Sequence, residues 1–157
     1  MRTAGPRRRP APVVLAGAAV TAMTLAGCAT TVEVAPAPAA DSPGCAQIGW
    51  PEKVAEAGRA DTRPASPATA AWATGGDPAI VARCGVTVPG PTAHECIAVD
   101  DVDWVAERLD DGMRFTTYGR DPAVEVLVPD RYAPEPLVLS AFAASAKAGA
   151  PTGRRCR

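Results

Sequence analysis

Residues 110–128 read DDGMRFTTYGRDPAVEVLV. In the last third of this stretch Val124, Val126 and Val128 alternate with Glu125 and Leu127, a period of two that suits a strand with one buried face. Asp110-Asp111-Gly112 resembles a hairpin turn between residues 102–109 and 113–118. Arg120-Asp121-Pro122 marks a second turn, since Asp-Pro favours a turn and proline suits the first position of a strand. Strands of this length joined by turns make a sheet the framework of the fold.

The same pattern extends outward. Residues 79–83, 97–99, 102–106, 113–118 and 123–128 are apolar runs of strand length, and Ala70–Thr74 around Trp72 reads as another short strand. Gly76-Asp77-Pro78-Ala79-Ile80 echoes Arg120-Asp121-Pro122-Ala123-Val124, a likeness that turn chemistry alone explains. Residues 59–68, with Pro64 and Pro67, read as a loop, and Cys45–Glu56 as a short helix limited by Pro51. Residues 136–148 read as a helix opened by proline and stopped by Gly149, with Leu137, Val138, Ala141, Phe142 and Ser145 on one face. The expected class is α+β: a mainly antiparallel sheet flanked by N- and C-terminal helices.

Such a core needs help. Alanine fills 34 of the 157 positions and buries little apolar area, and only 26 large apolar or aromatic residues follow Cys45. A domain so provisioned commonly relies on covalent staples. Cys45, Cys84, Cys96 and Cys156 make an even set, which three connectivities satisfy. A Cys84–Cys96 bridge would pin the ends of the turn-rich loop around Pro89-Gly90-Pro91, and Cys45–Cys156 would then join the ends of the domain. The spacing lacks a Cys-x-x-Cys pair, so neither a zinc site with His94 nor a redox motif is expected.

The N-terminus carries Arg2, Arg7, Arg8 and Arg9, then an apolar run from Ala11 to Gly27 that is short for a membrane-spanning helix. A positive start, a short apolar run and small residues describe a secretory signal peptide. Leu25-Ala26-Gly27-Cys28 resembles the lipobox of bacterial lipoproteins, which implies a diacylglyceryl group on Cys28 and cleavage before it. Two acyl chains on one residue hold a protein stably on a membrane. The expected division is residues 1–27 as signal peptide, 28–44 as lipidated cysteine and Ala/Pro-rich spacer, and 45–157 as one extracytoplasmic domain on the outer face of the cell membrane. An extended spacer of this length would reach on the order of 50 Å. Without the four leader arginines, 12 basic residues face 17 acidic ones, a net charge of −5. That balance excludes the electrostatic footprint of a nucleic-acid binder and gives no polybasic hold on anionic lipid.

Three motifs in order resemble one family. They are Ala71-Trp72 with Gly76-Asp77-Pro78-Ala79-Ile80-Val81 and Arg83-Cys84-Gly85-Val86, then Val102-Asp103-Trp104, then residues 115–126, FTTYGRDPAVEV. Together they resemble the actinobacterial domain-of-unknown-function family 3515, whose members are often secreted lipoproteins or membrane-anchored proteins. One extra residue in Ala73-Thr74-Gly75-Gly76 departs from its pattern. The resemblance implies location and carries no activity, cofactor or catalytic residue.

The residues themselves offer little chemistry for catalysis. His94 is the single histidine and sits in the proline loop, and no serine lies in Gly-x-Ser-x-Gly. Asp100-Asp101-Val102-Asp103 departs from a calcium loop and reads as a solvated turn. Tyr118, Arg120 and Asp121, with Trp72, Asp77 and Arg83 of the first motif, form the candidate binding set. Arginine can grip a carboxylate through two hydrogen bonds and tyrosine can stack on a ligand. The plainer reading makes the arginines and aspartates internal pairs that pin turns, and the tryptophans core. The expectation is a membrane-tethered, non-enzymatic envelope domain that binds a protein partner or a cell-wall component, with no metal and no cofactor. The alternative is an envelope enzyme using the carboxylates of Asp77, Asp103 and Asp121.

Overall fold

A computed structural model describes Met1 and residues 30–156. The leader and Cys28 lie outside the described residues.

Eleven strands run in the order β1 (Thr31–Glu33), β2 (Lys53–Val54), β3 (Ala57–Arg63), β4 (Thr69–Ala73), β5 (Ile80–Val86), β6 (Glu95–Val99), β7 (Val102–Leu109), β8 (Gly112–Tyr118), β9 (Arg120–Asp121), β10 (Ala123–Pro129) and β11 (Ala150–Pro151). Nine of them form one sheet in the order β1-β3-β4-β5-β10-β8-β7-β6, with β2 also on β3, and β9 and β11 pair separately. All pairings are antiparallel except β1 with β3.

The quoted stretch forms the centre. Val124, Val126 and Val128 of β10 are buried on one face, and they meet Ile80, Ala82 and Cys84 of β5 and Phe115 of β8. Asp110 and Asp111 make the two-residue link from β7 to β8. Gly112 is required there by space, since a Cβ would lie 2.3 Å from the Val128 carbonyl oxygen. The β6–β7 link uses Asp100 and Asp101 with φ of 50° and 62°, the positive values that a two-residue hairpin turn of the primed type demands. Of the carboxylates considered for calcium, Asp100 and Asp101 are thus turn residues and Asp103 lies buried in β7.

Three expectations need correction. The helix expected over Cys45–Glu56 is a single turn, α1 (Pro43–Ala46), because Pro51 leads into the strand pair β2–β3. The loop expected over 59–68 begins as β3, whose exposed, half-polar pattern hides the strand period. The C-terminal helix forms, but with 3-10 winding over Glu135–Phe142 before α2 (Ala143–Ala146). Three residues per turn places Leu139, Phe142 and Ser145 inward and leaves Leu137 73% exposed. Phe142 closes the core edge-on against Trp72 at 5.1 Å.

The disulfides are Cys45–Cys84 and Cys96–Cys156, a different pairing from the one expected. The loop 87–94 does not close a hairpin, since β10, β8 and β7 lie between β5 and β6. At about 4.8 Å per strand, Cys84 and Cys96 stand roughly 19 Å apart across the sheet. They also point to opposite faces: Cys84 lies with the core residues, whereas Cys96 pairs with Val105, beside the core residue Trp104.

The spacer expected over 28–44 is the largest departure. Residues 31–42 dock on the domain: β1 pairs with β3, Val34 N–H donates to Arg63 O at 2.9 Å, and Ala39 N–H donates to Gly85 O at 2.9 Å. Val34, Ala37 and Ala40 are buried. Gly85 (φ +89°) makes this possible, because a Cβ there would sit 2.3 Å from the Ala39 carbonyl carbon. Proline-rich composition could not show that Val34, Ala37 and Ala40 had a surface to cover, and beyond Ala37 the chain turns instead of staying extended. Residues 31–42 are thus part of the folded domain rather than spacer.

Candidate functional site

The sheet face opposite the core carries charge. Strand alternation that buries Val124 and Val126 turns Glu125 to that face, where its carboxylate is buried between two arginines. Arg83 Nε donates to Glu125 Oε1 at 2.9 Å, Arg114 Nε lies 3.4 Å from Glu125 Oε2, and Arg114 Nη1 donates to Glu107 Oε2 at 3.1 Å. The ladder Arg83–Glu125–Arg114–Glu107 therefore spans four adjacent strands with signs alternating. A hollow of about 320 Å³ lies over it. Its cations are matched internally, which suits structure better than a ligand.

A larger hollow of about 660 Å³ lies on the same face towards the β6 edge. Three parts build it. The loop before β6 contributes Pro91, Thr92 and His94; β6, β7 and β8 contribute Cys96, Val105 and Tyr118 as the floor; the chain end Gly153–Cys156 forms the far wall. That wall is fixed by the Cys96–Cys156 bridge, by Thr152 N–H donating to Gly119 O at 2.9 Å, and by Arg154 Nη1 donating to Pro89 O at 3.1 Å. Buried Asp103 orients the tip, accepting from Cys156 N–H at 3.1 Å, with Arg155 Nη1 at 3.8 Å. Gly119 (φ +71°) lets the wall approach, since a Cβ there would lie 2.1 Å from Arg154 O.

The cleft thus presents two guanidinium groups, an exposed imidazole, the half-buried ring of Tyr118 and one hydroxyl, Thr92. Its nearby carboxylate, Asp103, is committed to the wall. Such a lining can hold an anion by charge-assisted hydrogen bonds and pack a ring or polyol against the phenol.

The expected binding set is dispersed. Tyr118 reaches the large cleft and Arg83 the charged ladder. Trp72 is fully buried on the core face, donating from Nε1 to Pro51 O at 2.9 Å under Arg59, and is no part of a binding surface. Asp77 pairs with Arg131 and pins the turn before β5 to the turn after β10. Arg120 donates to Gly149 O at 3.2 Å, and Asp121, exposed, lies in β9 beside β11. Asp77, Asp103 and Asp121 therefore face no common cleft, and the paired-carboxylate geometry is not formed by them. Among the described residues no group of three or more His, Cys, Asp or Glu side chains is gathered as metal ligands, and no helix is long and apolar enough to cross a membrane.

Arg154 and Arg155 were not legible as site residues. Their only signal is a basic pair next to the last cysteine, and its meaning depends on the Cys96–Cys156 pairing that carries them to the sheet.

A family model described as "Protein of unknown function (DUF3515)" matches residues 11–150. No curated protein and no solved structure matches the chain.

Proposed function

The chain belongs to this family of unknown function, and from that membership and the geometry above we propose a lipid-anchored, extracytoplasmic binding domain. Its site is the cleft of Tyr118, His94, Arg154 and Arg155, and its ligand is an anionic component of the cell envelope. The observation that carries the reading is the cleft lining: His94, Tyr118, Arg154 and Arg155 converge on it, and Asp103 behind the wall is engaged by the Cys156 amide. Two disulfides fit an oxidising compartment outside the cytoplasm. The lipobox resemblance at Cys28 supports a membrane anchor with two acyl chains.

Nuclear magnetic resonance titration tests the site. A glycerol-phosphate oligomer and a carboxylate-bearing amino sugar are the probes, with a neutral sugar as control. Shifts confined to Thr92, Tyr118 and residues 153–156, lost in Tyr118→Ala, are expected for at least one anionic probe. Shifts scattered over the surface, or equal shifts with the neutral sugar, would refute the assignment.

A further inference from the structure

We infer that the anchored domain lies directly against the bilayer, with the β1–β3 edge at the lipid head-groups and the cleft near the opposite edge of the sheet, away from the lipid. The inference rests on the reading of Cys28 as the lipidated residue. It goes beyond that reading in fixing the distance and the edge that meets the membrane.

The argument is one of chain length. A sixteen-residue extended spacer would let the domain stand on the order of 50 Å from the lipid and turn freely. Residues 31–42 are not available as spacer, because Thr31–Glu33 pair with β3, Val34 and Ala39 donate to the domain, and Val34, Ala37 and Ala40 are buried on it. Between the Cys28 Cα and the Thr30 Cα the chain spans at most about 7 Å. Thr30 itself is placed, since its carbonyl oxygen accepts from Asp61 N–H at 3.1 Å. The start of β1 and its partner on β3 are therefore held within about two nanometres of the glyceryl group.

The other edge follows from strand order. β1 ends the sheet on one side and β6 on the other, seven steps apart at about 4.8 Å each, or roughly 34 Å. The cleft lies on β6, β7 and β8, so it stands at the far side from the anchor. The membrane edge carries Glu33 and Asp61 against Arg59 and Arg63, with Glu33 and Arg63 paired to each other, and β2 adds exposed Lys53 between Glu52 and Glu56 of the sequence. That edge has no net positive charge to attract anionic lipid, so its apposition depends on tether length and not on head-group charge.

Neutron reflectometry on the full lipoprotein, reconstituted in supported bilayers, reads the gap. The bilayers are phosphatidylcholine alone and phosphatidylcholine with phosphatidylglycerol. Protein density starting within about a nanometre of the head-groups, unchanged between the two bilayers, is expected from the residual tether. Inserting sixteen Gly/Ser residues between Thr30 and Thr31 should open a gap of about 20 Å or more. A gap of that size in the unmodified protein overturns the inference, as does a layer that closes only on anionic lipid. Intact-mass analysis of the same sample separates the two readings: an unlipidated Cys28 refutes the anchor and the apposition together, whereas a lipidated chain with a wide gap refutes the apposition alone. Amide exchange supplies an independent arm, in which rapid exchange at Val34 and Ala39 would show the strap undocked and overturn the inference.

Discussion

The two ends of the domain both lie on the sheet, but they are held in unlike ways. The N-terminal arm, residues 31–42, is fastened along its length by pairing with β3, by the bond to Gly85 and by three buried apolar side chains, and the fully buried Cys45–Cys84 bridge follows at once. The C-terminal arm, residues 150–156, has two paired residues, exposed side chains over 150–155 and a half-buried bridge at its tip. The first arm is an extension of the core. The second is a flap with exposed side chains, held by single bonds at Thr152, Arg154 and Cys156 and stapled at its tip. Local opening is governed by buried apolar contact and by protected backbone bonds, so the N-terminal arm should open less readily than the arm that walls the cleft.

The strongest way to break this contrast is to remove the buried bridge. Its residues are 39 apart, for which loop closure gives about 4 kcal/mol. Cys45→Ala with Cys84→Ala should therefore lose at least about 4 kcal/mol in urea unfolding, because both side chains also pack in the core. A loss below about 1 kcal/mol would mean the core does not need this staple.

Next in size is the strap itself. Gly85→Val places atoms where Ala39 runs and requires a β-branched residue at φ +89°. The expected cost is about 1–3 kcal/mol. Amide exchange at Val34 and Ala39 should rise together while the β10 amides stay protected, and unchanged protection at Ala39 would contradict the close approach.

These elements also mark what could be read beforehand. The central strands were legible because Val124, Val126 and Val128 alternate and because Asp110-Asp111-Gly112 and Asp121-Pro122 punctuate them. The mainly antiparallel sheet and the C-terminal helix followed, as did four disulfide cysteines, whereas the N-terminal helix did not. Their pairing did not, because it depends on which strands become neighbours, and β10 inserts next to β5 from forty residues away. The docked arm was hidden for a related reason: Val34, Ala37 and Ala40 bury only once Gly85 opens a place for the backbone. Tyr118, singled out within its motif, lines the candidate cleft, whereas Trp72 is drawn inward by the core and Arg154 and Arg155 are brought to the cleft by a bridge that spacing did not indicate.

A smaller effect is expected at the second bridge, and its selectivity is the informative part. Cys96 and Cys156 are half-buried beside the cleft, whereas Cys45 and Cys84 are sealed. Thiolate attack needs access, so graded reductant followed by mass tagging should label Cys96 and Cys156 first. Cys96→Ser with Cys156→Ser should fall towards the low end of the 0–5 kcal/mol range for lost disulfides, although the loop it closes, about 60 residues, is the longer one. The flap can peel without exposing Trp72, Trp104 or Phe115. Equal destabilisation by the two double variants would show that the arms are not different in kind.

The smallest effect on stability sharpens the comparison most. Arg155 is 67% exposed and its Nη1 lies 3.8 Å from Asp103, a loose pair in a screened setting. Arg155→Ala should change unfolding by under about 1 kcal/mol, since exposed ion pairs contribute 0–1 kcal/mol. Asp103 keeps its bond from the Cys156 amide, so the flap stays in place. If the cleft binds an anion, the same change removes a charge-assisted donor worth about 1.5–3 kcal/mol, or roughly ten- to a hundredfold in affinity for the phosphate or carboxylate probe. Arg155→Lys separates charge from geometry: a lysine that restores affinity indicates point-charge attraction, and one that fails indicates the planar two-donor grip of arginine. Loss of stability without loss of binding would instead make Arg155 a clamp for the flap and take it out of the site.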